Sequence, residues 1–194
     1  MTDIVDSTHM SRAVAGVRDE HLGAYTPCRP LTVAGLLDHI DGMALAFAAA
    51  ARKQLGPVTA TGPQPNAAHL TPSWREQIPA RLEDLAVAWS DPDAWQGMTQ
   101  VGGVSLPGAV AGRVALNEVV LHGWDLARAT GQPYEPEDRT VEECLAALAD
   151  MYPLDKPEQR AGIFGPPVTI AVDAPLLDRA VAWSGRDPHW SSET

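Results

Sequence analysis

The sequence predicts an all-α fold, an antiparallel bundle of helices, and two features of its pattern carry that prediction. Four long segments place apolar residues three and four positions apart, which is the spacing of one helix face. Short to moderate stretches rich in proline and glycine separate these segments, and strand-like patterns are incidental. Because 194 residues suffice for one core and are marginal for two, we expect a single domain over residues 1–194.

The long helices are predicted at residues 7–22, 32–55, 71–89 and 107–130. The second is the clearest, because Thr32 is a natural N-cap. An apolar stripe follows it on one face, at Leu36, Ile40, Met43 and Phe47. In the third, Pro79 should kink or split the helix. Gly131 and Pro133 are expected to end the fourth.

Shorter elements complete the prediction. Residues 98–106, MTQVGGVSL, fit a small hairpin or an irregular loop around a glycine pair. A fifth helix is expected at 137–151 and a proline- and glycine-rich loop at 152–172. A last short helix is expected at 173–183, ending at Gly185.

The charge balance excludes two classes of partner. Asp and Glu number 25 against 14 Lys and Arg, a formal charge of -11, and the basic residues are scattered. Such a chain is repelled by nucleic acid and by anionic membranes. No stretch reaches the ~18 uncharged apolar residues of a membrane span, and the N-terminus, MTDIVDSTHM, lacks the apolar run of a signal peptide.

Cys28 and Cys144 are too few for a disulfide framework, so both thiols are expected to be reduced. We therefore expect a cytoplasmic protein whose partners are small molecules. A homodimer is compatible with the sequence, which does not define the oligomeric state.

The fourth long helix carries a carboxylate and an imidazole in an otherwise apolar run. Glu118 and His122 lie four residues apart, about 40° and about 6 Å along an α-helix, so their side chains project from one face. Such a pair is costly to bury unless its members satisfy each other or a cation. Spacing alone leaves two interpretations open: a metal site, or an acid–imidazole pair that stabilises the helix surface.

His39 is the best candidate for a third metal ligand, because it lies on the most apolar helix beside the core stripe. Asp38 and Asp41 are close to it in sequence, and the carboxylate of either could hydrogen-bond the second nitrogen of its imidazole ring. Asp125 follows His122 by three residues and shares its face, so it is the candidate catalytic residue that would orient a ligand or a bound water.

Three protein ligands leave one coordination position open, which is the pattern of a catalytic metal site. Nitrogen and oxygen donors suit Zn²⁺ first and also accept Ni²⁺, Fe²⁺ or Mn²⁺. The open position can hold water or a thiolate, and the ion lowers the pKa of either. A carboxylate substrate would also call for an arginine. The sequence does not choose among Arg75, Arg81 and Arg113, each of which is more simply a solvated surface residue.

Several segments together carry a family resemblance. Residues 117–132, NEVVLHGWDLARATGQ, resemble the metal-binding helix of the mycothiol-dependent maleylpyruvate isomerase N-terminal group in the DinB-like superfamily, and more narrowly its actinobacterial members of unassigned activity. Residues 26–28, TPC, followed by 36–39, LLDH, are similar to that group's first-ligand segment. Residues 173–179, DAPLLDR, and 185–190, GRDPHW, are similar to its C-terminal signature. As a set these matches are specific and span nearly the whole chain.

The resemblance implies a DinB-like four-helix bundle with extra short C-terminal helices, and a metal bound by His39, Glu118 and His122. It also implies an enzyme that uses mycothiol, a low-molecular-weight thiol, for thiol transfer to a small electrophile or for its isomerisation. The alternative is a non-catalytic bundle that binds a metal or a small ligand. The isomerase itself has a second domain that this chain is expected to lack, so the resemblance does not extend to maleylpyruvate as substrate. Cys28 is expected to be a buried structural thiol.

Overall fold

The helices and one hairpin of the computed structural model, which describes residues 5–191, follow one another in a simple order. In chain order the elements are α1 (Thr8–Ala15), α2 (Val33–Ala51), α3 (Pro57–Ala60), α4 (Trp74–Ser90), β1 (Met98–Val101), β2 (Val104–Pro107), α5 (Gly108–Ala129), α6 (Asp138–Met151), α7 (Pro157–Arg160) and α8 (Leu176–Trp183). Single turns of 3₁₀ helix lie at Asp19–His21, Ala67–His69 and Pro92–Trp95.

A four-helix bundle forms the centre of the molecule. Helix α2 packs against α4 and α5, and α1 packs against the same two helices, so the four close around one apolar core. Helix α6 packs on the outside of α5, and α8 packs on α6. The predicted all-α bundle with extra C-terminal helices is therefore confirmed.

Helix α2 is the core helix that its apolar stripe predicts. The Thr32 hydroxyl caps it by accepting a hydrogen bond from the Gly35 backbone amide at 3.3 Å. The helix ends at Ala51, four residues earlier than predicted, because Lys53 turns into the left-handed region with φ 57°. By length and mean hydropathy (1.4) this helix could also cross a membrane, but 61% of its apolar 18-residue stretch is buried inside the bundle.

Helix α1 is shorter than the sequence predicts. It ends at Ala15 rather than at residue 22, and a turn of 3₁₀ helix follows at Asp19–His21. Gly16 lies where it ends, and a Cβ there would stand 1.9 Å from the Gln132 side-chain oxygen. The same side chain donates from Nε2 to the Ala13 carbonyl at 2.9 Å. A close tertiary contact, invisible in local periodicity, thus accompanies the end of the helix.

Helix α4 departs from prediction at two points. It begins at Trp74, three residues later than expected, after Ser73 as N-cap. It also continues without a break through Pro79, so the expectation of a split helix is wrong. Pro79 lies in the second turn, where its missing amide removes one hydrogen bond near the helix start. Burial of Ile78 and Leu82 on either side offsets that loss.

The predicted glycine-pair hairpin is confirmed. Strands β1 and β2 pair in antiparallel register from Met98↔Pro107 to Val101↔Val104. Gly102 and Gly103 join them with φ 57° and 81°, which only glycine adopts readily at both positions of so tight a turn. The Thr99 hydroxyl donates to the Ala50 carbonyl at 2.6 Å and fastens the hairpin to the end of α2.

A buried arginine organises the segment after α6. Arg160 is 4% exposed and donates to the carbonyl oxygens of Tyr152, Gly165 and Trp183. These bonds gather residues 152–165 against the end of α8, so the loop predicted at 152–172 is ordered around them. Helix α8 begins at Leu176, three residues later than predicted.

Gly112→Ala tests the packing of α5 in the bundle. A Cβ at Gly112 would stand 2.5 Å from the Trp95 ring and 2.9 Å from the Trp89 ring, neither of which can swing aside as a flexible chain would. We expect the variant to lose about 1–3 kcal/mol of unfolding free energy through overpacking. Urea denaturation measures the loss.

Gly42→Ala is the matched control on α2. A Cβ there meets nothing within 4 Å, so the variant should gain about 0.5–1 kcal/mol from helix propensity. Equal stability of the two variants would contradict the packing described for α5.

Candidate metal centre

The structure brings the three sequence-predicted ligands together where α2 faces α5. His39 Nε2 lies 3.0 Å from Glu118 Oε2, and His122 Nε2 lies 3.2 Å from the same oxygen. The imidazole rings meet edge to face with their centroids 4.6 Å apart. The side chains are 11%, 27% and 10% exposed for His39, Glu118 and His122, so Glu118 is the member most open to solvent.

The donor atoms of this triad have the separation that a small divalent ion requires. One ligating atom from each residue falls within 4.8 Å of the others. Tetrahedral ligands at about 2.0–2.1 Å from an ion are roughly 3.3 Å from one another, close to the 3.0 and 3.2 Å separations from the shared carboxylate oxygen. Two imidazole nitrogens and a carboxylate oxygen at these separations therefore fit a zinc-type ion.

Within the triad, electrostatic attraction opposes the cost of burial. Burial raises the pKa of Glu118, but the charges and hydrogen bonds of His122 and His39 outweigh it and hold that pKa well below its ordinary value. Burial lowers the pKa of His122, but Glu118 and the hydrogen bond with Asp125 outweigh it and raise that pKa well above the ordinary value. The carboxylate is therefore charged and requires a cationic partner, either a protonated imidazole or a metal ion.

Behind His122 lies a second, fully buried carboxylate. Asp125 is 0% exposed and its Oδ2 lies 2.9 Å from His122 Nδ1. This contact occupies Nδ1 and leaves Nε2 facing Glu118, which is how carboxylates orient metal-binding imidazoles. This contact fits the ligand-orienting role expected of Asp125. Its assignment as a catalytic residue stays a prediction.

Arg186 completes this arrangement from the C-terminal segment. Its Nε donates to Asp125 Oδ1 at 2.8 Å and its Nη2 to Oδ2 at 2.9 Å, while Nη1 donates to Ser184 Oγ at 3.0 Å. Burial raises the pKa of Asp125, but Arg186 and His122 outweigh it and lower that pKa. Sequence reasoning gave Arg186 no role beyond its place in the GRDPHW signature, since 61 residues separate it from Asp125.

The surroundings of His39 differ from the prediction. Its Nδ1 is buried and has no partner among the described residues. Asp38 accepts instead from the Asn66 backbone amide at 2.9 Å. Asp41 accepts from Gln77 at 2.7 Å and from Arg81 at 2.6 Å. Neither Asp38 nor Asp41 hydrogen-bonds the His39 ring, because both carboxylates bond residues of other segments. The expectation that one of them would orient His39 is therefore wrong.

The three candidate arginines are committed elsewhere. Arg81 binds Asp41 from α4, Arg113 pairs with Asp150 at 2.7 Å, and Arg75 pairs with Asp19 at 2.8 Å while stacking over the Trp74 ring. None of them lines the cavity whose wall includes His39 and Glu118. The interpretation of these arginines as surface residues, rather than substrate-binding ones, is thus consistent with their ion pairs.

The two cysteines have different environments. Cys28 is partly exposed, and its thiol lies within 4.8 Å of ligating atoms of His122 and Asp125, so the expectation of a buried structural thiol is wrong for it. Cys144 is 0% exposed, and burial raises the pKa of its thiol to about 12. Both are free, as predicted.

A cavity of about 320 Å³ lies beside the triad, and His39 and Glu118 are part of its wall. Apolar side chains form much of the rest of the wall, namely Met43, Ala46, Phe47, Val101 and Val114. The loop residues Thr61, Pro63, Gln64 and Pro65 also line it, with Gly102 of the hairpin turn. This size and lining suit a small ligand rather than a macromolecule.

Comparison with known proteins identifies the family. The model of the mycothiol maleylpyruvate isomerase N-terminal domain matches residues 7–127. Two uncharacterized proteins of Mycobacterium tuberculosis, Rv0738 (strain ATCC 25618 / H37Rv) and MT0763 (strain CDC 1551 / Oshkosh), are each 31% identical over 145 residues, covering 69% of this chain and 68% of theirs. The chain therefore belongs to the mycothiol maleylpyruvate isomerase N-terminal domain family.

A solved structure shares the fold. The crystal structure of the mycothiol-dependent maleylpyruvate isomerase superposes with a TM-score of 0.59 at 21% identity, covering 80% of this chain and 68% of that one. At this identity the likeness shows the bundle architecture alone.

Arg186→Ala should be strongly destabilising. It would leave the Asp125 carboxylate buried beside a single partner, and removal of one member of a buried ion pair costs about 3–5 kcal/mol. Arg186→Lys keeps the charge but loses the bidentate hydrogen bonding to Asp125, so we expect an intermediate loss of unfolding free energy. Thermal and urea unfolding measure both.

The control for this series is Arg113→Ala, which removes an exposed pair with Asp150. It should change stability by no more than about 0.5 kcal/mol. If Arg186→Ala were equally mild, the buried ion pair would not organise the centre.

Proposed function

We propose that this protein is a metal-dependent enzyme that uses a low-molecular-weight thiol, mycothiol, to modify a small electrophile by thiol transfer or isomerisation. The observation that carries the proposal is the convergence of His39, Glu118 and His122, of which His39 and Glu118 line a cavity of ligand size. Membership of the mycothiol maleylpyruvate isomerase N-terminal domain family supports the choice of thiol.

In this proposal His39, Glu118 and His122 hold a divalent ion, with Zn²⁺ as the first choice and Ni²⁺ or Fe²⁺ as alternatives. The bound ion would supply a Lewis acid that lowers the pKa of a thiol or a water. Three protein ligands leave room for such a group on the cavity side.

The chain's own residues would prepare this site in three ways. Asp125, held by Arg186, keeps His122 turned so that Nε2 faces the site. The partly exposed Glu118 forms the boundary between the site and the cavity. The apolar wall around Phe47 and Val114 reduces the water around a bound electrophile, which strengthens electrostatic interactions there.

Metal content is the first test of this proposal. Purified protein, reconstituted with Zn²⁺ and desalted, should hold close to one equivalent of metal by elemental analysis. His39→Ala and His122→Ala should each lower affinity by more than about tenfold, since each removes one of three ligands. His189→Ala, an exposed histidine, serves as control and should retain the metal. Wild-type protein that binds no stoichiometric metal would end the proposal.

Thiol consumption separates the enzyme from a non-catalytic binding bundle. Metal-loaded protein, mycothiol and a panel of electrophiles should show loss of free thiol above the uncatalysed rate. Asp125→Asn keeps the volume of the side chain but weakens the hold on His122, so we expect the rate to fall about 10–100-fold. Stoichiometric metal without thiol consumption across the panel would favour the binding bundle.

A further inference from the structure

The cavity beside the triad extends along the two helices that carry the triad. Helices α2 and α5 run antiparallel, because His39 contacts Glu118 while Lys53, just after α2, lies beside Gly108 at the start of α5. His39 and Phe47 both line the cavity. They are eight residues apart on α2, which is about 12 Å along the helix axis. The cavity therefore reaches about two helical turns away from the triad.

The wall beyond the triad is apolar on both helices. On α2, Met43 and Phe47 follow His39 at intervals of four residues, so the three lie on one face. On α5, Val114 precedes Glu118 by about one turn. The apolar lining is completed by Ala46, Pro63, Pro65 and Val101. A ligand that extends along the cavity from the triad therefore meets hydrocarbon.

The two aspartates of the wall are bonded to partners of their own. Asp38 Oδ2 accepts from the Asn66 backbone amide at 2.9 Å and lies 3.7 Å from His69 Nδ1. Asp41 Oδ2 accepts from Arg81 at 2.6 Å, and its Oδ1 is buried. The neutral polar residues of the lining are two exposed loop residues, Thr61 and Gln64. The surface that the cavity offers to a ligand beyond the triad is therefore mainly that of its apolar side chains.

We propose that this cavity binds the hydrocarbon tail of an activated alkene, with the reactive end of that substrate beside the triad. The inference rests on the proposed function, because it names the substrate class of the same site. The volume of about 320 Å³ restricts the substrate to a small molecule. Each methylene group buried against the apolar wall should tighten binding about threefold to fourfold.

The chemistry of such a substrate is self-contained. Addition of a thiol to an activated alkene forms one sulfur–carbon bond and breaks the π bond of the alkene, and the thiol proton finishes on the neighbouring carbon. No oxidant or reductant is needed beyond thiol and alkene. The tail takes no part in these steps, so its length changes binding without changing the reaction.

Saturated methyl ketones isolate the binding of the tail, because they lack the alkene to which a thiol adds. In the series 2-butanone, 2-hexanone and 2-octanone, each step adds two methylene groups. We expect protein reconstituted with Zn²⁺, without mycothiol, to bind them with a Kd that falls about tenfold per step in protein-observed NMR titrations. Equal affinity across the series, or no binding of 2-octanone, overturns the inference.

Variants locate this binding in the cavity. Ala46 is partly exposed and lines it, so the larger side chain of Ala46→Leu should fill part of the space and raise the Kd of 2-octanone about tenfold. Val114→Thr keeps the side-chain shape but places a hydroxyl in the wall, so it should raise that Kd about threefold. Ala49→Leu, on the same helix but outside the lining, is the matched control and should leave the Kd unchanged. An unchanged Kd in both cavity variants overturns the inference.

Turnover of two vinyl ketones separates this inference from the proposed function. The compounds 3-buten-2-one and 1-octen-3-one share the reactive group and differ in the tail, and each thiol-consumption rate is divided by its uncatalysed rate. Binding of the saturated ketones that strengthens with tail length, without thiol consumption from either alkene, would remove the thiol-transfer proposal and keep the tail site. Catalysed consumption with no preference for 1-octen-3-one would keep the enzyme and overturn the inference.

Discussion

The buried Asp125 carboxylate is the interaction on which the rest of the centre depends. It is fully enclosed, and it bonds His122 on one side and Arg186 on the other. An unpaired carboxylate at this depth would destabilise the bundle by several kcal/mol. Its partners are therefore structural requirements, and they link α5 to the segment after α8. That link orients His122 toward Glu118 and joins the proposed metal chemistry to the stability of the C-terminal segment.

The bundle helices and the loops beside them contribute different parts of the candidate site. The bundle places His39, Glu118 and His122 on two facing helices, α2 and α5. The cavity beside these residues is lined partly by the same two helices, and partly by the loop at residues 61–65 and by the hairpin. The loop and the hairpin lie outside the four bundle helices, so the bundle alone does not fix the shape of the cavity.

Sequence reasoning succeeded where physical constraints are local. Helical spacing put Glu118 and His122 on one face, and the structure brings them to 3.2 Å. Cap and turn residues located α2, α5 and the hairpin to within a few residues. It failed where a distant partner decides the outcome. Pro79 was expected to kink or split α4, and the helix continues through it without a break. Cys28 was expected to be buried and is partly exposed beside the triad.

By itself, the sequence determined the all-α class, the helices that carry the site and two ligand candidates on one turn, because periodicity and backbone preferences act over short distances. Only the tertiary structure decided that His39 meets them across the bundle and that Asp38 and Asp41 face away from its Nδ1. It also decided that Arg186 anchors Asp125 from 61 residues away. These contacts depend on how helices pack and where loops return, and packing is set by the whole core rather than by any one segment.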